Sequence, residues 1–400
     1  YSWSAHGQPW TAHQWLWEVL MHLAYEKIGV IGLWSLAFVC AAATGLLVRA
    51  GAKAGKAASV AGGAAPLLLV DWLKPWPQIA VYALFSVYLY LSLRGRWGGR
   101  EITAVAVVGL VWANVHSSAV MLPLLLLAEA GWRVITREGG FKPLLIASLA
   151  SALATLINPH GTGLWAYAVR EGLLTGEYKT YIAEWMPFFF GSTGMAISFF
   201  ICAGILLFSA HNSKAKSLEF ARAAGFWALA LLSRIYMPYA VLSTAALLGT
   251  LEIKFSKDFI MKLTAVPLIA AVFVLGIRGV PTDLDAAAGK SRYPVRAVEF
   301  LQEQNYGKLF NDYAWGGYLI WKGAPVYIDG RADLYRHRNI FGRYIKLSES
   351  GEQVSYYIGR TGADAALVVK NSLMDAALRE SPGWKCVYMD DTAVVYRPVR

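Results

Sequence analysis

The chain has 400 residues and a formal net charge of +11; 56% of its residues are hydrophobic and only 16% are charged. A typical soluble domain is about 25% charged, so this composition excludes an ordinary soluble protein and predicts an α-helical polytopic membrane protein. Most of the basic residues fall in short segments between apolar runs, where they set membrane orientation. The positive charge therefore does not indicate a nucleic-acid partner.

Residues 1–28 are rich in tryptophan and histidine, and we interpret them as an extracytoplasmic segment at the membrane surface. Tryptophan is favoured at the membrane–water boundary, and the stretch that begins at His13 is compatible with a helix too short and too polar to span. Glu18 and His22 share a helix face, either as a solvated pair or as part of a site. The chain begins at Tyr1, in polar sequence, and we expect one more span upstream.

Residues 29–278 form the predicted transmembrane domain. Two long apolar segments are interpreted as hairpins of two spans each, which gives about ten spans in total. The candidate spans are Val30–Val48, Ala57–Asp71, Gln78–Leu93, the two arms of Thr103–Val134, Pro143–Ile157, Ala196–Ser209, Arg222–Leu232, Ala240–Leu251 and Leu263–Gly276.

The run Thr103–Val134 decides how the spans are arranged. As one helix it would be about 46 Å long, whereas the hydrocarbon core of a bilayer is about 30 Å thick. Basic residues precede the run at Arg100 and follow it at Arg137, and cytoplasmic loops collect such residues. Both ends therefore belong on the same side of the membrane, and the run is predicted to turn back at the elbow Asn114–His116.

The positions of the lysines and arginines give the orientation. Fifteen of them lie in alternate loops, whereas the opposite loops up to Tyr239 hold four. Because basic loops stay in the cytoplasm, the opposite loops are predicted to face outward. Every polar motif beside a span is predicted to lie on that outward side, and ionisable groups at membrane depth default to a functional interpretation. These motifs carry Asp71, Lys74, Asn114, His116, Asn158, His160, Glu184 and Arg234.

Most of these side chains also have a purely structural interpretation. Asp71 could line a site, or it could form a helix-end pair with Lys74. His116 and His160 could bind a metal, donate hydrogen bonds to a phosphate, or hold hairpin turns together. Arg234 matches phosphate oxygens through its guanidinium, but it could equally extend to lipid head groups.

The composition becomes that of a soluble protein after Arg278, and residues 279–400 are predicted to form an extracytoplasmic α/β domain. Trp315, Asp329 and Arg331 lie in two aromatic, glycine-containing motifs at the carboxyl ends of predicted strands, where open α/β sheets bind ligands. They suit sugar binding, or they form a turn that docks the domain on the membrane core. Strands are expected at 308–311, 326–329, 365–370, 385–389 and 393–397.

Four segments together resemble the GT-C class of polyprenyl-phosphate-sugar-dependent glycosyltransferases in bacterial membranes. They are Trp10–Glu18, Trp112–His116, Asn158–Gly161 and Asn311–Tyr335. The class takes a sugar from an isoprenoid phosphate on the outer leaflet, and its first outer loop carries an essential carboxylate just after the first span. In this chain that loop would lie upstream of Tyr1. The chain departs from the pattern at Gln14, where the resemblance implies an acid.

The resemblance implies a glycosyltransferase that uses a polyprenyl-phosphate-linked donor at the outer face of the bacterial cytoplasmic membrane, with a glycan, lipid or protein acceptor. A carboxylate would act as base on the acceptor hydroxyl, and a divalent metal ion or a basic side chain would assist the leaving phosphate. The alternative is a non-catalytic membrane subunit whose outer domain binds glycan or a partner protein.

The predicted site residues follow from these expectations. The predicted catalytic residues are Glu18, Asp71 and Glu184, and the predicted substrate-binding residues are His13, Lys74, Asn114, His116, Asn158, His160, Arg234, Trp315, Asp329 and Arg331.

Overall fold

The structure is a computed structural model that describes residues 1–52, 56–173, 181–182, 184–189, 191–212, 217–252, 285, 288, 293–304 and 306–399. The chain forms two compact units. Residues Thr11–Val280 make up the helical unit, and Tyr1–Trp10 together with Pro281–Arg400 make up the mixed unit. The described residues contain fifteen α-helices and one small sheet, so the protein is mostly helical.

The helical unit contains ten α-helices in its described part. They are α1 (Trp15–Gly51), α2 (Lys56–Leu68), α3 (Pro77–Arg94), α4 (Gly99–Val115), α5 (Met121–Thr136), α6 (Phe141–Thr155), α7 (Gly163–Leu173), α8 (Thr193–His211), α9 (Leu218–Leu232) and α10 (Met237–Leu248).

Nine of the ten predicted spans coincide with one of these helices. The tenth, Leu263–Gly276, lies outside the described residues. Within the described residues, three helical segments are long and apolar enough to cross a membrane: Trp15–Gly51, Ser117–Thr136 and Thr193–His211. The predicted number of about ten spans is therefore not confirmed, although the positions of the helices agree with the apolar runs.

Helix α1 joins the predicted surface segment to the first predicted span. The helix is interrupted at Ile28 and Gly29, where Gly29 has a φ of 61°. A glycine adopts this left-handed conformation without the steric cost that a Cβ would bring, so the chain kinks here without ending the helix. The sequence analysis placed a domain boundary at this point, and the structure instead shows a kinked helix.

The apolar run after Thr103 turns back at its centre, as predicted. Helix α4 ends at Val115, His116 is extended, and a 3₁₀ turn at Ser117–Val120 leads into α5. Two helices of 17 and 16 residues replace one helix that would be longer than a bilayer.

Two ionisable residues are buried within helices of the helical unit. Arg222, the first residue of a predicted span, lies within α9 and is buried. Glu129, inside the apolar run of α5, is buried as well. These two residues belong to a polar cluster that includes the C-terminal part of α3, away from the polar motifs of the sequence analysis.

The mixed unit is built around a four-stranded sheet with the order β1-β2-β4-β3. Strand β1 is parallel to β2, and the other neighbours are antiparallel. The elements are α11 (Val295–Gln302), β1 (Leu309–Asn311), α12 (Gly316–Trp321), α13 (Ile340–Ser350), α14 (Val354–Thr361), β2 (Ala365–Val369), α15 (Leu373–Glu380), β3 (Trp384–Met389) and β4 (Ala393–Pro398).

The strand predicted at 326–329 does not form. Only Val326 pairs with other backbone, through isolated bridges to Ser2 and Leu309. The buried side chain of Asn311 accepts a hydrogen bond from the Tyr327 amide and donates one to the Ile328 carbonyl, both at 2.8 Å. A neighbouring strand would otherwise form hydrogen bonds with these backbone groups. The side chain of Asn311 therefore replaces backbone pairing in this segment.

The first ten residues belong to this mixed unit. Ser2 bridges to Val326, and the Trp3 amide donates to the Val326 carbonyl at 3.1 Å. The Trp3 indole donates to the Leu309 carbonyl at 3.0 Å. The sequence analysis grouped residues 1–28 into one surface segment, whereas in the structure the first ten residues pack with 281–400.

Candidate functional site

Several helix termini of the helical unit meet at one end. The Trp15 indole at the start of α1 donates to Asn114 Oδ1 at the end of α4, at 3.1 Å. The Asn114 amide donates to the carbonyl of Ile157, just after α6, at 2.8 Å. The Trp17 indole donates to the carbonyl of Pro75, just before α3, at 3.3 Å. Predicted site residues from distant parts of the sequence therefore lie at a common end of the unit.

His13 and His116 form an aromatic group at this end. Their ring centroids are 5.7 Å apart in an edge-to-face arrangement, and the His13 ring stacks on Tyr167 at 4.6 Å. The Ser118 amide donates to Nδ1 of His116 at 3.1 Å. Because this nitrogen accepts a hydrogen bond, a neutral His116 carries its proton on Nε2. The ring thus presents an N–H donor on its other edge.

Asp71 lies against the first turn of α8. It belongs to a 3₁₀ turn at Val70–Trp72, and its Oδ2 accepts a hydrogen bond from Ser192 Oγ at 2.6 Å. Ser192 is the N-cap of α8, and the same Oγ accepts from the Met195 amide at 3.0 Å. A helix N-terminus carries partial positive charge and favours a carboxylate. This arrangement fixes one carboxylate oxygen of Asp71 and orients the other.

Gly194 allows Asp71 to approach this closely. A Cβ at Gly194 would lie 2.5 Å from Asp71 Oδ2. The proposed helix-end pair between Asp71 and Lys74 is not what the structure shows, because Asp71 bonds to Ser192 and the Lys74 ammonium lies 4.6 Å from the centroid of the Trp76 ring.

Arg234 also lies beside the first turn of α8. It begins the 3₁₀ turn between α9 and α10, its guanidinium lies 4.4 Å from the centroid of the Phe189 ring, and its Nη2 is 3.4 Å from the Met195 sulfur. Its Nε is buried without a hydrogen-bond partner among the described residues. No carboxylate of the described residues pairs with this guanidinium.

The remaining predicted residues of the helical unit have other roles or positions. Asn158 shapes the turn after α6, since its amide donates to the Thr155 carbonyl at 2.7 Å and its Oδ1 accepts from the His160 amide at 2.8 Å. Nε2 of His160 is buried without a hydrogen-bond partner among the described residues. Glu184 is exposed and close enough to Tyr82 for an electrostatic interaction.

His22, which shares a helix face with Glu18, lies on α1. It forms an ion pair with Glu26 at 3.3 Å, and both side chains of this pair are exposed. Glu18 is itself exposed on α1.

The described residues do not fit a metal site. They contain no group of three or more histidine, cysteine, aspartate or glutamate side chains that could hold an ion. His13 and His116 are close to each other, but the ring packed on His13 is the phenol of Tyr167 rather than a third ligand of that kind. The divalent metal ion considered from the sequence stays a prediction.

In the mixed unit, Asp329 and Arg331 bind each other. Asp329 accepts hydrogen bonds from Arg331 Nε and Nη2 at 2.8 and 2.6 Å, and from the Tyr335 hydroxyl at 2.5 Å. The Arg331 guanidinium lies 5.1 Å from the centroid of the Trp10 ring. Trp315 is only 5% exposed and packs in the core of the unit. All of these contacts lie within the mixed unit, so the sugar-binding role of the three residues stays a prediction.

Burial and hydrogen bonding act in opposite directions on Asp329. Its burial disfavours ionisation, but hydrogen bonds from Arg331 and Tyr335 to the carboxylate outweigh this effect and hold the pKa of Asp329 below its ordinary value.

Sequence analysis missed several side chains that shape the site. Ser192 stands directly before an apolar run, which is the usual position of an N-cap, so its capping role could have been predicted. Its bond to Asp71 could not, because the two residues are 121 positions apart. Tyr167 and Phe189 carried no local signal of their contacts with His13 and Arg234.

No protein-family model matches the chain, and no curated protein matches it. Nine chains among solved structures match it. One is ArnT from Cupriavidus metallidurans bound to undecaprenyl phosphate, with a TM-score of 0.54, 13% identity, and coverage of 96% of this chain and 87% of that one.

Another is the oligosaccharyltransferase AglB from Archaeoglobus fulgidus in complex with an inhibitory peptide and a dolichol-phosphate. It matches with a TM-score of 0.54 and 12% identity, covering 88% of this chain and 60% of that one. Both proteins are GT-C glycosyltransferases. At these identities the likeness shows the fold, so the resemblance to the GT-C class noted in the sequence is confirmed at the level of the fold. With the three apolar helices, this indicates a membrane protein.

We predict that Gly194→Ala destabilises the protein by roughly 1–3 kcal/mol, because the added methyl displaces Asp71 and breaks its bond to Ser192. Gly204→Ala is the matched control: Gly204 lies in the same helix, a Cβ there meets nothing within 4 Å, and alanine is the better helix former. Thermal unfolding of both variants in detergent measures the difference. Equal melting temperatures would contradict the tight approach of Asp71 to α8.

We predict that Asp329→Asn lowers the melting temperature at pH 7 and that its difference from the wild type shrinks in acid. Because the folded pKa of Asp329 is lowered, the ionised carboxylate stabilises the fold above about pH 4, the ordinary range for aspartate. That stabilisation is lost as the pH falls through the lower folded value.

Thermal unfolding between pH 7 and pH 3 measures this dependence. Asp391→Asn serves as control, because Asp391 is exposed and its ion pair with Lys370 is 3.6 Å long. A difference between Asp329→Asn and the wild type that grows in acid would show that Asp329 is not held as an ionised group.

Proposed function

We propose that this protein is a membrane glycosyltransferase that transfers a sugar from a polyprenyl-phosphate-linked donor to an acceptor. The observation that carries the proposal is the fold, which is similar over 96% of the chain to a protein bound to undecaprenyl phosphate. The likeness to AglB in complex with a dolichol-phosphate supports the same class of lipid carrier. The acceptor is a glycan, a lipid or a protein.

Arg234 supplies the group that would hold the lipid phosphate. Its guanidinium has no carboxylate partner among the described residues, and a buried Nε of the same group has no hydrogen-bond partner there. Guanidinium groups bind phosphate oxygens in a fixed fork geometry. The contact with Phe189 orients the fork, and the N-terminus of α8 adds further attraction for an anion. Arg234 would thus stabilise the phosphate as its charge grows in the transition state.

Asp71 supplies the general base in this mechanism. Its Oδ2 is fixed by Ser192, so Oδ1 would take the proton of the acceptor hydroxyl. The acceptor oxygen then attacks the anomeric carbon, the bond from that carbon to the phosphate oxygen breaks, and the lipid phosphate leaves with the bonding electrons. Glu18 and Glu184 are exposed carboxylates in the same unit and are the other candidates for this role.

The remaining substrate-binding proposals concern hydrogen bonding to donor and acceptor. His116 presents Nε2–H when neutral, and it lies beside His13. Asn114 holds the ends of α4 and α6 together, so it acts by positioning this group. We assign Lys74, Asn158 and His160 to the same end of the unit as supporting residues. The asymmetry of basic residues in the sequence favours the outer face of a bacterial cytoplasmic membrane, with residues 279–400 outside the cytoplasm.

The test is sugar transfer by the full chain in lipid nanodiscs, with an undecaprenyl-phosphate-linked sugar as donor. Asp71→Asn is expected to lower the transfer rate by about 100-fold or more, because a positioned base contributes at least that much. Its KM for the donor should change little. Arg234→Gln is expected to raise the donor KM and also to lower the transfer rate, because Arg234 stabilises the charge that grows on the phosphate. Arg100→Gln, an exposed arginine at the start of α4, should leave both parameters unchanged.

Two outcomes would contradict the proposal. Undiminished transfer by Asp71→Asn would remove Asp71 from the reaction and leave Glu18 or Glu184 as base. If the wild-type chain neither hydrolyses nor transfers any donor sugar, the result would favour a non-catalytic membrane subunit whose outer domain binds glycan or a partner protein.

A further inference from the structure

A buried charged cluster joins three helices of the helical unit. Glu129 of α5 is 1% exposed and Arg222 of α9 is 8% exposed. Between them lie two hydroxyls of α3, those of Ser92 and Tyr88, and both of these residues are buried. Ionisable groups in apolar surroundings are costly, so this combination needs an explanation that the proposed reaction does not supply.

The two charges are bridged rather than paired directly. Ser92 Oγ donates to Glu129 Oε2 at 2.7 Å and accepts from Arg222 Nη1 at 2.8 Å. The Tyr88 hydroxyl makes the same two contacts at 3.4 and 3.3 Å. Arg133, one turn after Glu129, donates to the other carboxylate oxygen at 3.2 Å. The carboxylate of Glu129 therefore has hydrogen-bond partners on α3 and on its own helix, α5. The same hydroxyls of α3 also bond to Arg222 of α9.

The guanidinium of Arg222 is hydrogen-bonded through Nη1, to the Ser92 and Tyr88 hydroxyls. Its Nε and Nη2 have no hydrogen-bond partner among the described residues, and the group lies 5.4 Å from the centroid of the Tyr88 ring. The Ser92 and Tyr88 hydroxyls are therefore the hydrogen-bonded links of Arg222 to the carboxylate. Any displacement of α9 along α3 would break them.

Apolar contacts alone do not fix how far one helix lies along another, because a slide replaces one apolar contact with another. A slide of one helical turn is about 5.4 Å. It would separate Arg222 from both hydroxyls and leave the Glu129 carboxylate with only Arg133 of its own helix as a partner. Uncompensated buried charges are strongly destabilising, and fixing the register is the best-attested role of such groups. The cluster thus selects one axial register of α3, α5 and α9.

The same three helices deliver predicted site residues at their opposite ends. Lys74 precedes α3, His116 precedes α5, and Arg234 follows α9. Along α9, Arg222 and Arg234 are 12 residues apart, or about 18 Å. A register error at the cluster would therefore be carried along the rigid helices to the site.

We propose that Glu129, Ser92 and Arg222 are positioning residues, which set the register of three helices and thereby place Arg234 and His116. The expected effect of the cluster on binding of the lipid phosphate rests on the proposed glycosyltransferase function. Its effect on the register of the helices does not. The experiment below separates the two.

The test is a distance measurement by pulsed electron paramagnetic resonance on the full chain in nanodiscs. Spin labels are attached through Trp76→Cys, before α3, and Leu232→Cys, at the end of α9; both positions are exposed. The native Cys40, Cys202 and Cys386 are first replaced. Glu129→Gln is expected to broaden the distance distribution or shift it by several ångströms.

Ser92→Ala is the milder variant in case Glu129→Gln fails to fold, and it is expected to give a smaller change in the same direction. Ser86→Ala is the matched control, because Ser86 is equally buried on α3 but its hydroxyl donates only within its own helix, to the Tyr82 carbonyl. The control should retain the wild-type distribution. A wild-type distribution in folded Ser92→Ala and Glu129→Gln alike would overturn the proposal.

A second arm measures binding of undecaprenyl phosphate, without sugar, to the same variants at a temperature at which all are folded. Ser92→Ala is expected to weaken binding about tenfold, and Ser86→Ala to leave it unchanged. Altered distances in a protein whose wild type binds no lipid phosphate would support the register and contradict only the proposed function. Unaltered binding despite an altered distance would overturn the link between the cluster and the site.

Discussion

A polar group inside a bilayer finds no water, so each one needs a partner within the protein. This requirement is greatest at helix ends, because the terminal backbone groups have no partner within the helix. In this chain, capping residues and side chains from other helices supply such partners. Asn114 bonds to the end of α6, and Ser192 caps α8 while holding Asp71. The candidate site lies at these helix ends. The hydrogen bonds that satisfy the terminal backbone groups therefore also orient its side chains.

The two polar regions of the helical unit differ in how their charges are compensated. Arg222 shares the charge of Glu129 through two bridging hydroxyls. Arg234 has no carboxylate partner among the described residues. The first arrangement ties the guanidinium to a carboxylate through hydroxyls of a third helix, which suits a structural role. The second leaves a cation at the N-terminus of a helix, which suits an anionic ligand. This difference, rather than the presence of charge alone, distinguishes a binding site from a device that fixes register.

Sequence patterns predicted the helices well because each apolar run is a local signal. Nine predicted spans coincide with helices, and the turn at His116 followed from comparing a length with the thickness of a bilayer. A strand was predicted at 326–329, but the side chain of Asn311 occupies the backbone groups that pairing would need. A local pattern could not reveal that competition.

The sequence predicted which residues belong to the candidate site, but not how their side chains are arranged in space. Basic-loop asymmetry and polar motifs selected Asp71, His116 and Arg234, whose contacts all lie at helix ends. Their partners come from positions far apart in the chain, such as Ser192 for Asp71. Glu129 was the missed signal, since it is a carboxylate in the middle of an apolar run and such a residue requires a buried partner.

The most direct test of the account is a structure of the full chain determined with undecaprenyl phosphate bound in a lipid nanodisc. The account predicts that the phosphate contacts the guanidinium of Arg234 beside the first turn of α8, within reach of His116 or Asp71. A phosphate bound instead at Arg222, or in contact with none of these side chains, would contradict it.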